Sequence, residues 1–414
     1  MLSIVDGQTI ARIKRSSGDL RGVFSLRAWQ TGQIRKCVSY VRENSEFYRQ
    51  RLAGVDAEKL DDACLLESLP FTFPGDILDA PEKFLCVPAK EVGRVVSLRS
   101  SGTTGQTKRI FLTGGDVERT VDFFAEGMKP IAKTSKKAAI GLPANALGGV
   151  ADLLVRALER NGVSAICHGP VVDTATAALL EGCGCFVGAP VPLLKLSCAY
   201  PRLRPMSVLL SADYIPDAVM ERIRENWHCE VFTHYGLTET GFGCAVQCHE
   251  RKGHHIRHSE MMVEIVDPFT GSGRPYGQEG EITVTTFANA AMPLIRYRTG
   301  DIGSVDVSPC ECGGTFPRLG KVRGRFCSDG INPSIQELDD IVFSDRGILD
   351  YSASLSRAQS KMSVELEAVD APSQATVLAI ESLCMRKGIY AAISHRGKAS
   401  AGLPQKKRGI SLID

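Results

Sequence analysis

One segment constrains the chain more than any other. Val95-Val96-Ser97-Leu98 reads as a short strand that feeds Ser100-Ser101-Gly102-Thr103-Thr104-Gly105-Gln106-Thr107-Lys108, two glycines among five hydroxyl residues and one lysine. Such a loop can wrap phosphate oxygens. Glycines let the backbone approach closely, amide N–H groups form an anion-binding concavity, hydroxyls donate further, and the lysine supplies a point charge. It is not a Walker A loop, because no Gly-Lys-Ser/Thr follows at the required spacing. Taken alone, the same segment serves as a surface turn.

Two further segments repeat the pattern of a strand followed by a polar turn. Thr233-His234-Tyr235-Gly236-Leu237-Thr238-Glu239-Thr240-Gly241-Phe242-Gly243 follows a predicted strand at Cys229–Thr233, the place where open α/β sheets bind ligands. Tyr235 can stack a base, Thr238 can donate to a phosphate oxygen, and Glu239 offers a hard carboxylate suited to Mg²⁺. His234 reads as a strand-end histidine rather than a catalyst. In Pro293-Leu294-Ile295-Arg296-Tyr297-Arg298-Thr299-Gly300-Asp301, a carboxylate after a glycine turn can accept both ribose hydroxyls. As an isolated segment it is an ordinary exposed turn.

Between these segments the chain alternates strands and helices. Residues 28–52 have helical apolar spacing, Asp116 is an N-cap for a helix running to Lys129, and Pro216 stands at the first position of a helix with Val219, Met220, Ile223 and Trp227 on one face. Met261–Val266, Glu281–Thr286 and Ile302–Val307 read as strands. Beyond a polar linker at Lys321–Asn332, strands at Met362–Val369 and Tyr390–Ser394 flank a helix at Ser373–Lys387, a small α+β tail. The expected architecture is α/β.

Composition narrows the function. The 414 residues carry 49 Lys+Arg against 47 Asp+Glu, so a formal charge of +2 leaves no electrostatic footprint for nucleic acid or an anionic membrane. No stretch reaches the ~18–20 apolar residues of a membrane span, and the N-terminus lacks a signal-peptide apolar core. A cytoplasmic protein is expected. Its 14 cysteines are too dilute for a disulfide scaffold and should be reduced.

The three polar segments, in this order, resemble the adenylate-forming (acyl-CoA synthetase) superfamily, and more narrowly its phenylacetate–CoA ligase-like branch. Phe47-Tyr48, Leu69-Pro70-Phe71-Thr72, Glu264-Ile265-Val266-Asp267-Pro268 and Met292 through Asp301 carry the likeness further, to about residue 326. The resemblance implies a large N-terminal adenylate-forming domain of mixed sheets and helices at 1–322, a hinge at 323–332 and a small C-terminal α+β lid at 333–414. It implies an AMP-forming acid–thiol ligase: a carboxylic acid, here an aryl acid, attacks the α-phosphate of ATP, and coenzyme A then takes the acyl group. Ser101, Gly102, Thr103, Thr104, Gly105 and Lys108 match the β,γ-phosphate loop. Tyr235 with Gly236 matches the adenine-stacking position, Thr238 the α-phosphate contact and Glu239 the Mg²⁺ ligand. Asp301 matches the ribose-binding aspartate, with Arg325 as its companion. Ala212 and Asp213 occupy the segment lining the adenine and acyl pockets. Lys407 fits the adenylation lysine of the basic tail, with Lys406 and Lys398 as rivals and a solvated lysine run as the simpler reading. Related enzymes are often dimers, which leaves a homodimer open.

The hinge departs from the family pattern: Phe326-Cys327-Ser328-Asp329 stands where Thr-Asp-Asp is usual, in a shortened segment. That departure keeps open adenylylation of a non-carboxylate acceptor, such as a deazaflavin cofactor. A degenerate nucleotide-binding regulatory protein is the reading from another class.

Spacing alone leaves the cysteines undecided. Cys310-Glu311-Cys312-Gly313-Gly314 lies 62 residues after Cys248, which is followed by His249, His254, His255 and His258. Three cysteines and a histidine make a common structural zinc set, but unpaired reduced thiols are the simpler reading. A Cys followed by a Leu-His-Ile-like segment and a later C-x-C recurs in the branch that the chain resembles. By that resemblance Cys248, His255, Cys310 and Cys312 are expected to form a structural Zn²⁺ site with no open position. Cys183 and Cys185 remain ordinary thiols.

Overall fold

The helix Gly114–Ala132 illustrates how local chemistry sets the framework. Its N-cap is Thr113, not Asp116: the Thr113 hydroxyl accepts from Asp116 N at 3.1 Å while the Asp116 carboxylate accepts from Thr113 N at 2.8 Å. This reciprocal capping box puts the cap three residues earlier than the expected Asp116. Asp116 also accepts from Ala290 N and Ala291 N, tying the helix start to a distant turn.

The computed structural model describes residues 4–17, 22–56, 65–99, 107–143, 148–169, 173–326, 333–397 and 410–413. Ser101, Gly102, Thr103, Thr104, Gly105, Lys398, Lys406, Lys407 and most of the expected hinge lie outside the described residues. The chain divides into two compact units. One comprises Met1–Lys133, Asn145–Gly162 and His234–Val322; the other comprises Thr134–Ala144, Val163–Thr233 and Arg323–Asp414.

In the first unit, strand Val92–Arg99 pairs antiparallel with Thr107–Thr113, which sets Lys108 opposite Leu98. Met261–Val266, Gly280–Thr286 and Leu294–Gly303 form an antiparallel series. The expected strand at Ile302–Val307 is divided: Ile302 and Gly303 end the long third strand, while Val305–Asp306 changes partner and pairs with Arg318–Leu319. Within the third strand the register is irregular, in that Thr283 faces Arg298 but Glu281 faces Ile302. Gly300, at φ 77°, supplies the left-handed residue that this bulge needs. A second antiparallel ladder runs from His234 and Tyr235 through Ala245–Gln247 and His254–Ile256 to Arg318–Leu319. Tyr48 seals the core beneath: its hydroxyl lies 2.9 Å from Thr72 Oγ1 and accepts from Ile295 N.

The second unit is built on a parallel sheet. Glu230–Thr233, Ser207–Leu210, Cys185–Gly188, Lys137–Gly141 and Ser164–Cys167 lie side by side in that order. The two strands Cys185–Gly188 and Ser207–Leu210 are buried throughout, as expected of a sheet covered on both faces. The helix after Pro216 runs Asp217–Trp227, with Pro216 as its N-cap rather than its first residue.

Helix Ile335–Val342, strands Ile348–Ser356 and Lys361–Ala368, helix Gln374–Arg386 and strand Tyr390–Arg396 belong to the parallel-sheet unit. The physical cause is a common core: Val219, Ile223 and Trp227 are buried with Leu338, Val342, Phe343 and Ile348. Polar ties reinforce it. Arg222, itself buried, donates to the carbonyls of Ile348 at 2.7 Å and Arg346 at 2.8 Å, and Lys195 Nζ lies 3.0 Å from both Asp350 and Glu367.

Truncating the largest buried side chain of this core tests that it is shared. Trp227→Ala should cost about 3–5 kcal/mol in denaturant unfolding, and hydrogen exchange should rise in both Ser207–Leu210 and Lys361–Ala368. A rise confined to one of the two strands would contradict a common core.

Candidate functional site

Three segments far apart in sequence bring their polar side chains together in the first unit. Lys108, on the second strand of the hairpin, extends Nζ to Glu239 Oε1 at 2.6 Å and to the Tyr297 hydroxyl at 3.0 Å. Tyr297 in turn donates to the same Glu239 oxygen at 2.7 Å. Glu239 is only 7% exposed. Burial alone would push its carboxyl up, but the Lys108 ammonium and the Tyr297 hydroxyl hold it below the ordinary carboxylate range. A buried, ionised, oxygen-donor group is the chemistry that Mg²⁺ prefers.

Local geometry explains the positions. Glu239 sits in the single turn Thr238–Thr240, closed by the Thr240 hydroxyl and by Gly241 at φ 69°. Gly236 allows a close crossing: a Cβ there would stand 2.7 Å from His234 Cε1 and would collide with the Phe242 carbonyl. Thr238 follows directly and so shares the turn with Glu239.

A second pair links the two antiparallel series of this unit. The Tyr235 hydroxyl donates to Asp301 Oδ2 at 2.9 Å. Burial, and then the Asp301 charge, raise the Tyr235 phenol well above its ordinary value, so it remains a donor. Asp301 follows the Gly300 bulge, and its N–H donates to the Thr299 hydroxyl at 3.0 Å. The bulge aims the carboxylate; a regular strand would carry it to another face.

Ala212, Asp213 and Arg325 belong to the second unit. Ala212 adopts φ 72°, a left-handed conformation uncommon for a residue with a Cβ, just after strand Ser207–Leu210. Asp213 Oδ1 accepts from Tyr214 N.

Geometry also bears on the expected zinc ligands. Ligand atoms of Cys248, His255, Cys310 and Cys312, all buried, lie within 4.8 Å of one another. Cys248 Sγ is 3.8 Å from Cys310 Sγ, and Cys312 Sγ is 3.4 Å from His255 Nε2. A tetrahedron with Zn–S of about 2.3 Å has edges of about 3.8 Å, and Zn–N edges are somewhat shorter. The donor set and its spacing fit zinc, and thiolates disfavour Mg²⁺ or Ca²⁺.

Two residues of these clusters are not singled out by the sequence. Tyr297 is visible there only as part of a motif; strand alternation, which turns it away from Arg296 and Arg298, is the available signal. Asp6, 3.1 Å from His255 Nδ1, has no signal at all.

The amino-acid pattern and known proteins agree. Residues 95–291 match the AMP-binding enzyme family. The chain is 32% identical over 321 residues to a phenylacetate-coenzyme A ligase of Thermus thermophilus, covering 72% of this chain and 70% of that one. It is 25% identical over 336 residues to the phenylacetate-coenzyme A ligase of Escherichia coli, covering 76% and 75%. In three dimensions it resembles a 2-hydroxyisobutyryl-CoA ligase in complex with 2-HIB-AMP, with TM-score 0.75 and 19% identity over 93% of this chain and 88% of that one, a likeness of fold.

His234 offers a pH test of this region. It sits 6.3 Å from the Phe123 ring and 6.0 Å from Phe124; burial, with His254 nearby, pushes its imidazole down to about 3. The folded state therefore holds His234 neutral, while the unfolded chain takes up the proton as pH falls through about 6.5. Stability should drop by about 2 kcal/mol between pH 7 and pH 5 from this group. His234→Gln should remove that part of the difference in urea unfolding; an unchanged difference would show that His234 is not held neutral.

Proposed function

The chain belongs to the phenylacetate–CoA ligase family of AMP-binding enzymes and is an AMP-forming acid–CoA ligase; from that premise we propose that it activates an aryl acid through the Lys108–Glu239–Tyr297 and Tyr235–Asp301 constellations. The observation that carries this reading is the convergence of Lys108 and Tyr297 on one buried carboxylate oxygen of Glu239. An aryl acid is favoured by the names of the relatives and by the aromatic group Phe123, Phe124 and neutral His234 next to Tyr235. Among the described residues no helix is long and apolar enough to cross a membrane.

In this reading the carboxylate arrives ionised, so the first step needs positioning and charge neutralisation rather than a general base. Lys108, with Ser101, Gly102, Thr103, Thr104 and Gly105, holds the β- and γ-phosphates. With phosphates on Lys108, Glu239 would be free to hold a cation while Tyr297 keeps its carboxylate oriented. Glu239 is the residue that would hold Mg²⁺, which when bound would supply charge neutralisation for the leaving pyrophosphate. Asp301 accepts the ribose hydroxyls, and Tyr235, tethered to it, sets its edge against the adenine. Thr238 donates to the α-phosphate. Ala212, Asp213 and Arg325 match nucleotide-contacting positions of the family, and Lys407 matches its adenylation lysine. Coenzyme A then attacks the acyl carbon and AMP departs. Cys248, His255, Cys310 and Cys312 would hold a structural zinc, outside these steps.

Isotope exchange between ATP and pyrophosphate tests the reading. With a panel of phenylacetate, benzoate and 2-hydroxyisobutyrate, exchange should require acid and Mg²⁺ and be fastest with an aryl acid. Glu239→Gln should lower the rate by about 10²–10³ with little change in fold. Tyr297→Phe should lower it by about tenfold, the loss of one oriented hydrogen bond. A folded protein that binds ATP yet shows no acid-dependent exchange with any member would refute the proposal.

A further inference from the structure

His255 uses both of its ring nitrogens. Nε2 faces the cysteine cluster, 3.4 Å from Cys312 Sγ, and Nδ1 lies 3.1 Å from Asp6 Oδ1, both residues being 1% exposed. Asp6 stands in the first turn of the helix Ile4–Ser17, 249 residues away in the chain. An imidazole that donates its Nδ1–H to a carboxylate has its tautomer and ring plane fixed, and it presents the Nε2 lone pair to a cation.

Two further observations point the same way. The second Asp6 oxygen, Oδ2, is buried and finds no hydrogen-bond partner among the described residues. A buried carboxylate so poorly served is costly, unless its one donor is strengthened, as an imidazole N–H is when the opposite nitrogen binds a metal. Gly314 makes the room: a Cβ there would stand 2.8 Å from His255 Cε1 and nearer still to the Asp6 carboxylate. The rest of the helix is held by ordinary contacts. Arg12 donates to Glu260 and to Asp122, and Ile13 is buried with Leu26 and Phe316.

We propose that Asp6 is the positioning residue of the Cys248, His255, Cys310, Cys312 centre, and that through it zinc binding and docking of helix Ile4–Ser17 are one coupled equilibrium. The proposal rests on the zinc reading above. By linkage, whatever factor Asp6 adds to zinc affinity, zinc adds to docking of the helix. The expected factor is about 10–100, the range typical of partners that orient a ligating histidine.

The test uses the full chain, with metal analysis, competition against a chromophoric chelator, Co²⁺ substitution and hydrogen exchange over residues 4–17. Wild type should hold one zinc, and removing it should raise exchange in the helix by about tenfold or more while strand Gly280–Thr286 is unchanged. Asp6→Asn should still bind one zinc, about 10–100 times more weakly, with an altered Co²⁺ visible spectrum and a loosened helix. Asp6→Glu should recover part of the affinity. If zinc is bound but its removal leaves exchange in the helix unchanged, the coupling is refuted while the metal centre stands. The coupling is equally refuted if Asp6→Asn loosens the helix with zinc affinity and spectrum intact. A wild-type chain that neither holds nor takes up zinc refutes the centre and the coupling together. Because chelation of the wild type needs no variant, the result stands even where Asp6→Asn fails to fold.

Discussion

The first unit is organised around the ionisation of one buried carboxylate. Glu239 is 7% exposed, and a charge in that position is tolerated only when donors surround it. Lys108 and Tyr297 provide them, and meeting that demand ties the hairpin strand Thr107–Thr113, the turn Thr238–Thr240 and the strand Leu294–Gly303 to a single point. The glycines serve the same end. Gly236 admits the crossing beside His234, Gly241 closes the turn, and Gly300 bulges the strand so that Asp301 reaches Tyr235. A pair of this kind contributes little net stability, since desolvation offsets much of its attraction. Its value lies in holding a lysine and a carboxylate charged and close.

Much of the site is legible in the sequence because its residues travel in short motifs at strand ends. Lys108, Tyr235, Glu239 and Asp301 each stand in a segment whose glycines and hydroxyls mark it, and the structure brings Lys108 to Glu239 and Tyr235 to Asp301. The cluster of Cys248, His255, Cys310 and Cys312 is legible only through the family pattern, since spacing across 62 residues names no partner. Asp6 is illegible in principle: a single aspartate in an amphipathic helix carries no sign of a histidine 249 residues away. Helix starts mislead for a subtler reason. Asp116 reads as an N-cap, and its carboxylate does accept a backbone N–H at the helix start, but from the third helical position and for Thr113.

The C-terminal elements are held by packing within the parallel-sheet unit: Leu338, Phe343 and Ile348 bury their side chains with Trp227 and Ile223 in one core. Arg222 and Lys195 then satisfy carbonyls and carboxylates that the core leaves behind. Apolar periodicity in 362–394 identifies amphipathic elements correctly, but not which partner covers them. In the first unit, the cysteine cluster plays the complementary part of joining Cys248, His255 and the Cys310–Cys312 turn where little apolar surface is available.

The central claim is that this site joins a carboxylate oxygen to the α-phosphate of ATP. The most direct measurement is a single-turnover reaction with an acid labelled with ¹⁸O in both carboxylate positions, followed by mass spectrometry of the nucleotide product. Attack by the acid on the α-phosphate, then thiolysis at the acyl carbon, leaves a single labelled oxygen in AMP, and that is the predicted result. Unlabelled AMP, or ADP in its place, would contradict the account.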